Sequence, residues 1–215
     1  MAQSRIQDRI QWGMNVAARA AGASVDAYRP SDVANPLDPT NRYLRLHALF
    51  TGMMGKFLRP DGYGAALVHG IFDAAYTQPG DYLVQQGGST WFIASQEPLL
   101  PVLCVRTSRT VSFARAVAPS TTGVNSYGGV TATTTTPLLT NWPASVMGAA
   151  GGGQPEAALP SDSTVPYWTI LLPAFPGVVL LPADLMTDDL GRSAVVSAAE
   201  VTSLGWRLTA KQAVT

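Results

Sequence analysis

Asp81 to Glu97 reads DYLVQQGGSTWFIASQE, and 103 residues later Asp184 to Glu200 reads DLMTDDLGRSAVVSAAE. Both stretches open on Asp, carry a glycine at the same place (Gly88 and Gly191), run into an apolar strand and close on Glu. At the same offset Leu67-Val68 faces Ile170-Leu171, Phe72 faces Phe175, Leu103 faces Trp206 and Val105 faces Leu208, with no gap from residue 67 to residue 105. Apolar matches alone would carry little weight, because any two strands in register produce them. The Asp, Gly and Glu punctuation adds the information, and it predicts a duplicated unit. Each unit reads as strand, Asp-opened turn, short strand, glycine hairpin, strand, corner and strand. Such a set buries one face and closes into a small sandwich or barrel. Two units of this size share a core or stack, since each is small to stand alone.

Composition supports a folded, sparsely charged body. Of 215 residues 47% are apolar, enough for a substantial core, and only 13% are charged. Fourteen basic residues balance fourteen acidic ones. That balance argues against charge-driven binding to nucleic acid or anionic lipid, and it favours self-association. Cys104 is the sole cysteine, so no disulfide forms within the chain. The N-terminus has no apolar run of signal-peptide type. The longest apolar stretch, Thr169 to Ala183, is broken by three prolines and is too short to span a bilayer as a helix. A soluble protein made in the cytosol is expected.

The fold class expected is mainly β: two related small barrel or sandwich units with an N-terminal α-helix and long loops. Residues 4–21 are helical in pattern, with Ser4 and Gln7 as a capping box and Gly22 as a stop. Ile6, Ile10, Met14 and Ala17 recur at helical spacing and form a narrow face, read either as cover for its own domain or as an assembly helix. Residues 28–42 carry three prolines and read as a connector. The expected divisions are helix and extended arm over 1–60, first β unit over 61–118, a Ser/Thr/Gly-rich loop or linker over 119–162, and second β unit over 163–215. Strands are expected near 43–50, 65–72, 82–86, 89–95, 102–107, 110–114, 167–172, 177–181, 194–199 and 205–210. The hairpin positions singled out are Asp81, Gly88, Trp91, Asp184, Gly191 and Trp206.

Chemistry is thin in the pattern. His47 and His69 lie singly in β patterns, where structural roles prevail. No Cys/His cluster has metal spacing, and no nucleotide or nucleophile motif appears. Asp184, Asp188 and Asp189 form an acidic cluster without the alternating ligands of a calcium loop. Turn capping explains them more simply. Five tryptophans (Trp12, Trp91, Trp142, Trp168 and Trp206) offer material for a carbohydrate platform, although Trp91 and Trp206 sit among apolar neighbours. No catalytic residue, metal or cofactor is expected.

The segments RIQDRIQWGMNVAARAAGASVDAYRP, GIFDAAYTQPGDYLVQQGGSTWFIASQEPLLPVLCVRTSR and LMTDDLGRSAVVSAAEVTSLGWRLTA resemble uncharacterised virion proteins of tailed phages and prophages. The hairpin logic also resembles that of phage head-closure and neck proteins. That resemblance implies a non-enzymatic structural protein of the virion, in the neck, connector or tail. It implies a homo-oligomer, with a ring the expected form, and partners such as portal, adaptor, tail tube or fibre proteins, with neither sequence-specific nucleic acid nor membrane. The other readings are a carbohydrate-binding or fibre-attachment β-sandwich and, below it, a hydrolase using paired Asp and Glu.

Overall fold

A computed structural model describes residues 2–52, 66–116, 135–148 and 167–212. The protein is mainly β, with one N-terminal helix and two closed six-stranded barrels. The first barrel contains β1 (Ala23–Tyr28), β2 (Arg42–Gly52), β3 (Leu67–Ile71), β4 (Tyr82–Gln85), β5 (Thr90–Ser95) and β6 (Val102–Arg106). The second contains β7 (Arg109–Ala116), β8 (Thr135–Gly148), β9 (Tyr167–Leu172), β10 (Leu185–Asp188), β11 (Ser193–Thr202) and β12 (Gly205–Gln212). Strand order is β1-β2-β3-β6-β5-β4 in one and β7-β8-β9-β12-β11-β10 in the other, so the topology is the same. Closure removes the unpaired edges that an open sheet of this length would expose.

The repeat is thus present, but it is larger than the sequence pattern indicates and it is not gapless. Paired positions around each barrel fix the equivalences. Tyr28 opposite Tyr82 matches Ala114 opposite Leu185, and Val25 opposite Leu46 matches Val111 opposite Trp142. Leu49 opposite Ile71 matches Ser145 opposite Leu171, and Ile93 opposite Cys104 matches Val196 opposite Ala210. The offset is therefore 86 at β1/β7, 96 where β2 and β8 face these partners, 100 at β3/β9, 103 at β4/β10 and β5/β11, and 106 at β6/β12. Each rise is extra length in the second half. The apparent matches of Leu67 with Ile170 and of Leu103 with Trp206 are corrected accordingly: three-residue insertions lie on either side of the central hairpin. A bulge survives at the equivalent step, between Ile93 and Ser95 and between Val196 and Ala198.

The unit boundaries shift with it. The first barrel begins at Ala23, within the expected arm, and ends at Arg106. The 110–114 strand expected in the first unit is β7 of the second barrel. Residues 135–148, expected within a linker, form the fourteen-residue β8. Threonines, Leu138, Leu139, Trp142 and Val146 supply β-favouring side chains there, and burial outweighs the two prolines. Residues 177–181 form no strand; Pro176-Gly177 and Pro182 turn the chain on either side. The remainder of 119–162, including the glycine triplet, lies outside the described residues.

The helix α1 (Ala2–Ala21) starts before Ser4, so Ser4 is not its cap. Ala18 is buried in the core of the first barrel, and Ile10 and Met14 face the same side. Gly22 ends the helix by donating to the Ala18 carbonyl at 2.7 Å. A Cβ there would meet the Ala18 and Ala48 carbonyl oxygens at 2.5 and 2.7 Å, so only glycine permits this close turn from helix into β1.

The barrel interiors are apolar. Val25, Ala27, Ala48, Leu83, Trp91, Ile93 and Cys104 share the core of the first, where Trp91 stacks on Phe50 with ring centroids 3.8 Å apart. Burial pushes the Cys104 thiol far above its usual range, as befits a small core hydrophobe. The two barrels are joined by Thr107 and Ser108 alone and share a second, continuous core.

Candidate functional site

Three features place side chains where they can act: the repeated hairpin corner, the seam between barrels, and the helix.

The corner is built twice from the same parts. Asp81 is buried and accepts from Arg29 Nε at 2.9 Å and a terminal guanidinium nitrogen at 2.8 Å. Asp184 is buried and accepts from Arg115 in the same two-pronged way, at 2.7 and 2.9 Å. Each arginine also donates to a carbonyl, Tyr76 O or Val179 O, and each aspartate also accepts an amide, Gln78 N–H or Leu181 N–H. Every one of these aspartate-side partners obeys the 103-residue offset, and Arg29 and Arg115 obey the 86-residue offset of their strands. Just beyond, Ile93 N–H donates to Asp81 O and Val196 N–H to Asp184 O, both at 2.9 Å. These aspartates are structural clamps whose oxygens are already engaged. Tyr43 adds a 2.6 Å hydroxyl donation to Asp81. Burial and that carboxylate both hold its phenol well above the usual range.

The closing glutamates do not share a corner. Glu97 lies in the β5–β6 loop beside Ser95, while Glu200 lies in β11 and pairs with Arg207. Their partners and exposure leave no convergent carboxylate pair with Asp81 or Asp184. Gly88 and Gly191 both occupy the left-handed region, with φ of 95° and 74°, as a hairpin turn of this kind needs. In the second barrel Asp188 further ties its hairpin, accepting from Leu190 N–H, Arg192 N–H and Arg192 Nε. Among the described residues no cluster of His, Cys, Asp and Glu is disposed to hold a metal ion.

The seam is a ladder of outward-facing side chains on the first barrel. Tyr82, Phe92, Val105 and Leu67 stand side by side across β4, β5, β6 and β3. All four are buried with residues of the second barrel. The Tyr82 hydroxyl donates to Pro143 O at 2.8 Å, and its ring meets Trp142 edge-on at 6.1 Å. The connector after β1 reinforces this contact: Trp142 Nε1 donates to Val33 O at 2.7 Å, Asn35 N–H donates to Thr140 O, and Thr140 N–H donates to Val33 O. Burying side chains of this size contributes about 1.5–3 kcal/mol each, enough to make the barrels one body. Neither the ladder nor the docking role of residues 29–41 was visible beforehand. The signal for the ladder is TWFIA in β5, apolar on both faces where a one-sided strand would alternate.

Of the helix positions, Ile10 and Met14 are half-buried against the first barrel, while Ile6 and Ala17 face solvent. The four do not form one face. The outer face presents Ile6, Trp12 and Val16 instead, with Trp12 70% exposed. Between helix and barrel lies a cleft of ≈ 80 Å³ lined by Gln7, Ile10, Met14, Gln96 and Val102 among others. Trp91, Trp142 and Trp206 are buried, and Trp168 carries the Arg192 guanidinium 5.1 Å above its ring. No described helix is long and apolar enough to cross a membrane. No protein-family model, curated protein or solved structure matches the chain.

Proposed function

We propose that the protein is a structural component of a bacteriophage virion in the head–tail region, in neck, connector or tail. In this reading it assembles as a ring or collar by protein–protein packing and is not an enzyme. The observation that carries the reading is the tandem of two equivalent barrels, joined by two residues and locked by a buried ladder. Such a block transmits shape rather than performing chemistry. The clamp aspartates are spent on arginines and amides, which supports a scaffold over a hydrolase. The burial of Trp91, Trp142 and Trp206 removes most of the aromatic platform that a carbohydrate-binding module would use.

Mass spectrometry of purified phage particles, with immunogold imaging, tests this. The chain is expected in intact particles, at the head–tail junction or along the tail. A chain present in infected cells but absent from particles would overturn it.

A further inference from the structure

The second barrel has the same ladder positions as the first, and among the described residues nothing buries them. By register, Tyr82, Phe92, Val105 and Leu67 correspond to Leu185, Val195, Lys211 and Tyr167, which stand side by side across β10, β11, β12 and β9. Leu185 and Val195 are half-exposed, and Tyr167 is 39% exposed. The complementary half of the seam shows the same imbalance. On the second barrel the outward residues Pro143, Ser145 and Leu171 are buried, and Leu171 shares its cluster with the first barrel's ladder. Their counterparts on the first barrel are His47, Leu49 and Ile71. Leu49 and Ile71 are paired across β2 and β3 and half-exposed, and His47 is exposed.

Among the described residues, each molecule therefore carries one satisfied seam and both halves of an unsatisfied one. We propose that the occupant is a second copy of this chain. The Leu185–Val195–Tyr167 face of one molecule takes the His47–Leu49–Ile71 face of the next, repeating between molecules the contact made within each. This deepens the assembly reading above and rests on it. The two halves differ, so the contact is heterologous. One copy always leaves a free half for the next, and the series closes into a ring or extends as a filament according to the rotation per step. The repeated contact is the weaker one. Leu185 lacks the hydroxyl and ring with which Tyr82 reaches Pro143 and Trp142, and Lys211 replaces Val105, its stem able to lie along the face with its ammonium in water. Association is accordingly reversible and concentration-dependent.

Sedimentation velocity on the full chain decides it, using Val195→Glu to spoil one half and Ile71→Glu to spoil the other. His47→Asp, at an exposed position, replaces the second if Ile71→Glu unfolds. Wild type is expected to form oligomers as concentration rises. Each variant, with far-ultraviolet circular dichroism and thermal midpoint unchanged, is expected to dissociate more than about tenfold more readily, because a charge enters an apolar contact. Mixed together, the two variants have one intact pair of halves between them and should form a one-to-one dimer that grows no further. A chain monomeric at every concentration, an oligomer that both variants leave intact, or a mixture that stays monomeric overturns the inference. A monomeric chain that is nonetheless found in particles would sink this contact and leave the virion reading standing. Head-to-tail assembly by a chain absent from particles would do the reverse.

Discussion

Strands β5 and β11 occupy the same place in two barrels of the same topology, yet their sequences differ in kind. In β5, TWFIAS, four consecutive residues are buried; in the matching part of β11, SAVVS, burial alternates. The fold asks only for the inward residues, Trp91 and Ile93 in one and Ala194 and Val196 in the other. The outward Phe92 is required by the neighbour, and Val195 at the equivalent position is smaller and half-exposed. Burial on a second face is thus a record of contact rather than of fold. The same comparison separates Trp142 from its counterpart Leu46, which is half-buried in the first barrel.

Removing Trp142 should break this comparison most severely. It is fully buried, meets Tyr82 and Phe175, and ties down Val33. Trp142→Ala should cost about 4 kcal/mol and split thermal unfolding into two transitions as the barrels uncouple. Leu46→Ala, at the equivalent position, should cost about half as much and leave one transition. A single transition of unchanged midpoint in Trp142→Ala would show that the barrels are not held through this residue.

The two clamps come next. Asp81→Ala and Asp184→Ala each strand an amide and an arginine, the latter partly hydrated, and each should cost about 2 kcal/mol in chemical denaturation. Tyr43→Phe should add a cost of about 1 kcal/mol in the wild-type background and almost none once Asp81 is gone. The second barrel has Leu138 at the position of Tyr43, so its clamp has no such coupling to lose.

How far the sequence reveals this structure follows the same physics. The central hairpins are legible because backbone geometry dictates their punctuation: Gly88 and Gly191 need positive φ, and Asp81 and Asp184 must cap the turn. The outer strands of each unit are not. At an offset of 86, β1 and β7 share only Val25 with Val111 and, just past β1, Arg29 with Arg115, which no search at 103 finds. β8 lies in a threonine-rich stretch whose composition reads as loop, and only its partners β7 and β9 make it a strand. The seam and the free half-seam are legible only in retrospect, since pairing decides which residues face outward together.

Acid should distinguish the hairpins. Burial pushes the Asp188 carboxyl up, but Arg192 and the amide donors outweigh it, so it sits below the usual carboxylate range. A depressed folded pKa stabilises above the unfolded value, near 4, and that contribution is lost as pH falls through the folded value. The first barrel has neutral Gln85 and Ser89 at these positions, while both barrels carry a clamp aspartate. Below about pH 4, hydrogen-exchange protection in β10–β11 should therefore fall further than in β4–β5. Asp188→Asn should abolish the difference; equal loss in both hairpins of the wild type would count against the assignment.

The smallest effect is a gain. Gly80 and Ala183 are equivalent, both precede the clamp aspartate, and both adopt positive φ, 95° and 75°. Their amides make the same bond, to Ile93 O and Val196 O at 2.9 and 2.8 Å. An alanine held in the left-handed region costs about 1–2 kcal/mol, because Cβ crowds the carbonyl oxygen. Glycine removes that cost but has more freedom to lose on folding, about 0.4–1 kcal/mol. Ala183→Gly should therefore stabilise by about 0.5–1 kcal/mol, and Gly80→Ala should destabilise by a similar amount. Space is not the issue at Gly80, where an added Cβ would meet nothing nearer than Ala174 O at 3.9 Å. Equal and opposite shifts in denaturation midpoint would show that the two corners are one backbone design. Destabilisation by Ala183→Gly would mean that the alanine methyl contributes packing that the first barrel does without.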